Sequence, residues 1–157
     1  RDTLGSGVTC VEGSVYDIDP SLGTFDFVLI SDALRHLRCP QRAIEKAVAL
    51  SHGEILVADV IAPSLEGMGD VALAEYEAPG DAWWLPNTRT LTNMMIVAGC
   101  EPVQQVARYN AESGHGGALQ KVVLRGRVNA KPVWLQEWCR TAALTPPKWR
   151  SAAERQL

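Results

Sequence analysis

At 157 residues the chain is long enough for one domain with a buried core and too short for two. Hydrophobic residues make up 46% and charged residues 21%, which excludes a disordered or collagen-like chain, and no apolar run approaches the ~20 residues that cross a bilayer. The net charge of −3 conceals an asymmetry: residues 127–157 carry six cations against Glu137 and Glu154, a net +4 that leaves −7 on the remainder.

The opening stretch, Arg1 to Val11, lacks the apolar core of a signal peptide, so a cytoplasmic location is expected. An Arg in first position is read as the edge of an incomplete chain. The β-branched run Val8 to Val11 predicts a short strand entering a loop at Glu12-Gly13. Phe25 to Ile30 is nearly continuous apolar, as in a parallel strand buried on both faces. After Pro40, which a first helical turn tolerates, Ala43, Ile44, Ala47 and Val48 recur at helical spacing and predict a helix over 41–50. A second buried strand follows Gly53, over Glu54 to Ile61, and completes one strand–helix–strand unit.

Ala62 to Pro86 is rich in Pro and Gly and ends at Trp83-Trp84, the pattern of a binding loop or lid. Asn87 is a good N-cap for a helix over Thr88 to Ala98, with Gly99 as its C-terminal stop. Glu101 to Tyr109 and Gln120 to Val128 read as a hairpin with a long connection. Two helices, 132–143 and 147–156, split by Pro146-Pro147, are expected to close the chain. The order is α/β: a mostly parallel sheet ending in an antiparallel hairpin.

The cysteines, Cys10, Cys39, Cys100 and Cys139, form no C-x-x-C pair and stand at no zinc-like spacing to His36, His52 or His115. Reduced thiols and no metal are expected. The cations of the tail suit a solvated helix face or contact with a phosphate-bearing partner. Asp59, Glu75 and Glu77 are assigned no role, since a lone acid near a strand end is usually solvated.

Three segments resemble the class I S-adenosylmethionine-dependent methyltransferases. Val8 to Asp19 is similar to the family's third strand and following turn. Phe25-Asp-Phe-Val-Leu-Ile-Ser-Asp-Ala-Leu-Arg-His36-Leu-Arg-Cys-Pro40 resembles its fourth strand and exit, F-D-x-V-x-x-x-x-x-L-x-H-L-x-x-P, and is the most specific piece. His52 to Asp59 is similar to the fifth strand with its glycine turn, and the hairpin to the sixth and seventh. Trp83-Trp-Leu-Pro86 resembles an element of the group around the tRNA wobble-uridine carboxymethyltransferase. The family's first strand and its G-x-G-x-G loop have no counterpart here, since Thr3 to Gly7 lies directly ahead of the third-strand segment.

The resemblance implies a Rossmann-like methyltransferase fold lacking its first strands: a partial domain over 1–128, with a basic helical tail over 129–157. About eighty residues of an intact domain are missing on this reading. It implies S-adenosyl-L-methionine as cofactor, with Ser14, Val15, Ile30, Ser31 and Leu34 along its wall. Ser14 stands where Asp is commoner and offers a neutral hydroxyl to the adenine. Arg35, Trp83 and Trp84 become substrate-side residues, suited to an anionic group and a planar surface. His36 becomes a general base when the acceptor carries a removable proton, and is otherwise a packing residue near a helix start. A small-molecule acceptor is expected, with RNA as second candidate and no membrane. The alternative is a non-catalytic methyltransferase-like binding module. A nicotinamide oxidoreductase is disfavoured, because no G-x-G-x-x-G follows a strand.

Overall fold

A computed structural model describes residues 5, 7–76, 82–112 and 117–129. The helices expected over 132–143 and 147–156, the tail unit, Glu77, His115 and Cys139 lie outside the described residues.

The middle of the chain forms strand β1 (Phe25–Ser31), helix α1 (Pro40–Leu50) and strand β2 (Ser51–Ile61). Pro40 occupies the first turn of α1, where its missing N–H costs nothing, and Ala43, Ile44, Ala47 and Val48 form the buried stripe. β1 and β2 are parallel neighbours, with Phe27 opposite Glu54 and Ser31 opposite Ala58. The register slips between Phe25 and Phe27. Gly53 lies at this irregularity so close to β1 that an added Cβ would stand 2.1 Å from the Asp26 carbonyl oxygen. Only glycine permits that approach.

The long connection after Ile61 contains a 3-10 turn (Pro63–Leu65) and two three-residue strands, β3 (Ala74–Tyr76) and β4 (Trp84–Pro86), paired antiparallel. Helix α2 (Thr88–Ala98) follows as the sequence predicts. Asn87 Oδ1 accepts from the Thr90 N–H at 2.9 Å, and Gly99 ends the helix in the left-handed region with φ 108°. The hairpin of β5 (Cys100–Glu112) and β6 (Ala118–Val128) then adds to β2, giving the sheet order β1-β2-β6-β5.

Both helices pack on one face of this sheet. The core joins Ile44 and Val48 of α1 and Leu91 and Met95 of α2 to Ile55, Val57 and Ile61 of β2 and Val122 and Leu124 of β6. Gly126 of β6 lies under that packing, where an added Cβ would stand 2.8 Å from both the Cys100 Cβ and the Met95 Cε.

Three sequence expectations need correction. Val8 to Val11 is not a strand: the run is exposed and belongs to neither sheet of the described residues. The order begins instead with 3-10 turns at Val15–Asp17 and Pro20–Leu22. β1 is not buried on both faces. Val28 and Ile30 pack against the core, but Phe25, Phe27 and Leu29 are 46%, 51% and 54% exposed, and one edge of β1 has no pairing strand among the described residues. The sheet is not mostly parallel among the described residues, since β2–β6 and β5–β6 are both antiparallel.

Candidate functional site

In an open α/β sheet, the carboxyl ends of the parallel strands are where chain reversals leave a crevice. Here those ends are Ser31 on β1 and Ile61 on β2. At Asp32 the chain turns out of the sheet with φ +53°, its N–H still donating to the Ala58 carbonyl at 2.9 Å. The next residues form a 3-10 turn over Leu34–His36.

Asp59 holds this turn. Its side chain shares the register of Ile55, Val57 and Ile61, so β2 carries it to the helix-covered face, where the residue is 1% exposed. Its Oδ2 accepts the Leu34 N–H and its Oδ1 the Val60 N–H, each at 2.8 Å. Burial pushes the Asp59 carboxyl up from the usual aspartate range and the neighbouring Asp32 adds to this. The two N–H donors and the Arg35 guanidinium oppose it without cancelling it. Asp59 thus departs from the usual solvated state of a lone acid near a strand end. An acid in phase with three core residues was the signal available in the sequence.

The ribbon of β3 and β4 covers the same turn. The Trp83 N–H donates to the Arg35 carbonyl at 2.7 Å, and Trp84 Nε1 to the Arg38 carbonyl at 3.4 Å. The Arg38 guanidinium lies 4.7 Å from the centre of the Trp83 ring, and Tyr76 packs on both indoles at 6.2 and 5.0 Å. Leu34, Arg35, Asp59, Trp84, Leu91 and Met94 are among the residues around a cavity of about 30 Å³ beneath the ribbon. Arg35 Nε is buried there without a protein partner.

Asn87 fixes the base of the ribbon besides capping α2. Its amide accepts from Leu73 N–H at 3.2 Å and donates to the Val71 carbonyl at 2.8 Å. Glu66 provides a second anchor. Its carboxylate accepts the Thr88 N–H at 2.6 Å and the Thr88 hydroxyl at 2.9 Å, and it is paired with Arg108 of β5. Burial would raise the Glu66 carboxyl, but the Thr88 and Arg108 donors outweigh it and hold it below the usual range. Glu75, likewise assigned no role from the sequence, is half-buried and accepts from the Ser64 hydroxyl at 2.5 Å.

The remaining expected residues fall in two places. Ser14 caps the Val15–Asp17 turn, its hydroxyl accepting the Tyr16 N–H at 3.2 Å. The Tyr16 hydroxyl accepts the Cys39 N–H at 3.1 Å, which ties this turn to the start of α1. Ser14, Val15, Ile18 and Leu22 border an open cavity of about 360 Å³. Its lining extends to Leu50 at the far end of α1, so it is separate from the cavity under the ribbon. Ile30 packs against the core, Ser31 is exposed with its hydroxyl 3.5 Å from Asp32 Oδ2, and the exposed His36 donates its N–H to the Ala33 carbonyl at 3.1 Å. The structure thus gathers Leu34, Arg35, Trp83 and Trp84 at the end of β1, with Ser14 and Val15 flanking α1. Among the described residues no cluster of His, Cys, Asp and Glu suits a metal ion, and no helix is long and apolar enough to span a membrane.

No protein-family model matches the sequence, and no curated protein matches it. Solved structures do match. The N-terminal domain of EvdMO1, crystallised with SAH bound, is 20% identical with a TM-score of 0.54, over 74% of this chain and 52% of that one. A 1,6-didemethyltoxoflavin-N1-methyltransferase from Burkholderia thailandensis, with 1,6-didemethyltoxoflavin and S-adenosylhomocysteine bound, is 15% identical with a TM-score of 0.54, over 76% of this chain and 50% of that one. A SAM-dependent methyltransferase from Thermotoga maritima is 16% identical with a TM-score of 0.55, over 78% of this chain and 65% of that one. The chain spans between half and two-thirds of the length of these structures. It has their Rossmann-like α/β fold.

Proposed function

We propose that this chain is part of an S-adenosyl-L-methionine-dependent methyltransferase that acts on a small molecule. The observation that carries the reading is the turn at the end of β1, pinned by buried Asp59 and roofed by Trp83 and Trp84, on a fold found in structures crystallised with S-adenosylhomocysteine. The 1,6-didemethyltoxoflavin bound in one neighbour supports a small-molecule acceptor over RNA. The narrower likeness to the wobble-uridine carboxymethyltransferase group rests on the sequence Trp83-Trp-Leu-Pro86.

The residues present fit the cofactor. A hydroxyl has two lone pairs, so Ser14 retains one after accepting the Tyr16 N–H, and the adjoining cavity of about 360 Å³ is of ligand size. When bound, the cofactor supplies an electrophilic methyl on a sulfonium, so the protein's task is positioning and exclusion of water. Ser14 and Val15 would hold the adenosine end beside that cavity, while Ile30, Ser31 and Leu34, which lie outside its lining, would border the cofactor from the end of β1. Since Ile30 and Leu34 are committed to the core, their contribution is rigid backbone more than side-chain contact. Arg35 would bind an anionic group on the acceptor, and the indoles would shield the sulfonium. His36, exposed at the turn, would take the proton of a hydroxyl or ammonium acceptor.

The open face and unpaired edge of β1 among the described residues support a further part of this reading, that the chain is a portion of a longer domain. Titration calorimetry with S-adenosylhomocysteine tests it. Little or no binding is expected of these 157 residues, and tight binding of a chain extended upstream through a strand and a glycine-rich loop. An extended, folded chain that binds nothing would leave a non-catalytic module as the better reading.

A further inference from the structure

Asp32 is the one described residue other than glycine with a positive φ, at +53°. Aspartate reaches this region more readily than most residues but still at a cost, and such conformations persist where surroundings impose them. The side chain of Asp32 is held from a distant strand. Lys121 of β6 lies in register with Val60 of β2 and Tyr109 of β5. Its ammonium stands 2.6 Å from Asp32 Oδ1 and 2.7 Å from Oδ2. The lysine side chain is 16% exposed and the aspartate 43%, so this pair is shielded on the lysine side, unlike His52–Asp26 at 57% and 97%. Asp32 is thus held by its N–H, which donates to the Ala58 carbonyl, and by its carboxylate, which accepts from Lys121 and has the Ser31 hydroxyl 3.5 Å from Oδ2.

We propose that Lys121 is a positioning residue for the methyl-transfer site. By gripping both oxygens of Asp32 it keeps that residue left-handed and fixes the angle at which Ser31 and Leu34 leave the sheet. This rests on the methyltransferase reading for its functional meaning, although the clamp itself is a statement about the backbone. A loose turn would let the cofactor wall and Arg35 drift, and small displacements of positioning groups weaken binding and slow transfer.

The test uses Lys121→Met, Asp32→Gly and the double variant. Glycine adopts a positive φ without a clamp. A positive φ gives an intense intraresidue HN–Hα cross-peak in NMR spectra. Lys121→Met should weaken that peak at Asp32, lower the urea midpoint, and weaken S-adenosylhomocysteine binding by the upstream-extended chain about fivefold, the scale of coupling within a contacting pair. In the Asp32→Gly background the same lysine change should have almost no effect on midpoint or affinity. Should Lys121→Met alone not fold, restored folding in the double variant supports the clamp and continued misfolding overturns it. An unchanged Asp32 cross-peak in Lys121→Met, or equal losses in both backgrounds, also overturns it. If the cross-peak responds while the wild-type extended chain binds no cofactor analogue, the methyltransferase reading fails and the clamp stands.

Discussion

Along β2, Ile55, Val57, Asp59 and Ile61 lie under α1 and α2, while Leu56 and Ala58 point to the opposite face. On that opposite face Leu29 of β1 stands beside Leu56, and Ala58 beside Val123 of β6. The helix-covered face is sealed to 0% exposure at Ile55 and Val57, whereas Phe27 and Leu29 are more than half exposed. Composition does not separate these faces, since both are apolar at their centre. What separates them is that the only two α-helices among the described residues present their buried stripes to one side. An apolar residue in a strand therefore states a capacity for burial, and the partner element decides whether that capacity is used.

The largest expected contrast follows from this. Ile55→Ala opens a cavity beneath both helices and should cost about 3 kcal/mol, the middle of the range for truncating a buried isoleucine. Urea denaturation of this chain measures it. A loss no greater than that of an open-face truncation would mean the two faces are energetically alike.

Asp59 sharpens the comparison because it is polar on the sealed side. Asp59→Leu leaves the Leu34 and Val60 N–H groups buried without acceptors and should cost about 2 kcal/mol. Asp59→Asn, which keeps an acceptor, should cost less. The pH dependence has a definite sign. With its carboxyl raised in the folded state, Asp59 binds a proton more tightly folded than unfolded between the ordinary value of 3.8 and the raised one. Stability from this group is thus full below 3.8 and declines as pH rises through the raised value. Asp59→Asn should abolish that decline, so its deficit against wild type should be smaller at pH 7 than at pH 4. A deficit independent of pH would show that the carboxyl is not raised.

How much of this was legible beforehand varies with the physical signal. Pro40, Asn87 and Gly99 marked helix ends, because capping and φ restrictions act within a few residues. The hairpin of β5 and β6 was legible from its β-rich runs. The strand expected at Val8 to Val11 was not realised, since propensity cannot supply a pairing edge. The ribbon of β3 and β4 was hidden because three-residue strands leave no periodicity to read. Of the site, the turn after β1 and the paired tryptophans were flagged, and they do meet. Asp59, Glu66 and Lys121 were missed, because their roles depend on partners 25, 42 and 89 positions away.

A smaller effect is expected at Glu66, which joins the loop to α2 and β5. Its depressed carboxyl has the opposite sign to Asp59: stability is present above the ordinary value of 4.5 and is lost as pH falls through the folded value. Glu66→Gln should cost about 1 kcal/mol at pH 7, as expected for weakening charge-assisted bonds at a partly exposed site. The difference from wild type should close in acid. A gap that does not narrow at any acid pH at which the chain stays folded would assign the loss to packing.

The smallest effect on stability belongs to the open face, and it tests the asymmetry most directly. Phe27 is 51% exposed and lies opposite Glu54, with no helix above it among the described residues. Replacing it by serine removes only a half-buried side chain, so the unfolding free energy of this chain should fall by less than about 1 kcal/mol. The same substitution should change association, because an exposed apolar strand with an unpaired edge invites pairing with another chain. Sedimentation at increasing concentration should show self-association in the wild type that Phe27→Ser reduces. If this face is instead covered in an upstream-extended chain, Phe27→Ser there should approach the cost of Ile55→Ala. That rise from one chain to the other would measure how much of the sheet's burial is supplied from outside these residues; equal costs in both would mean that the face is open in either.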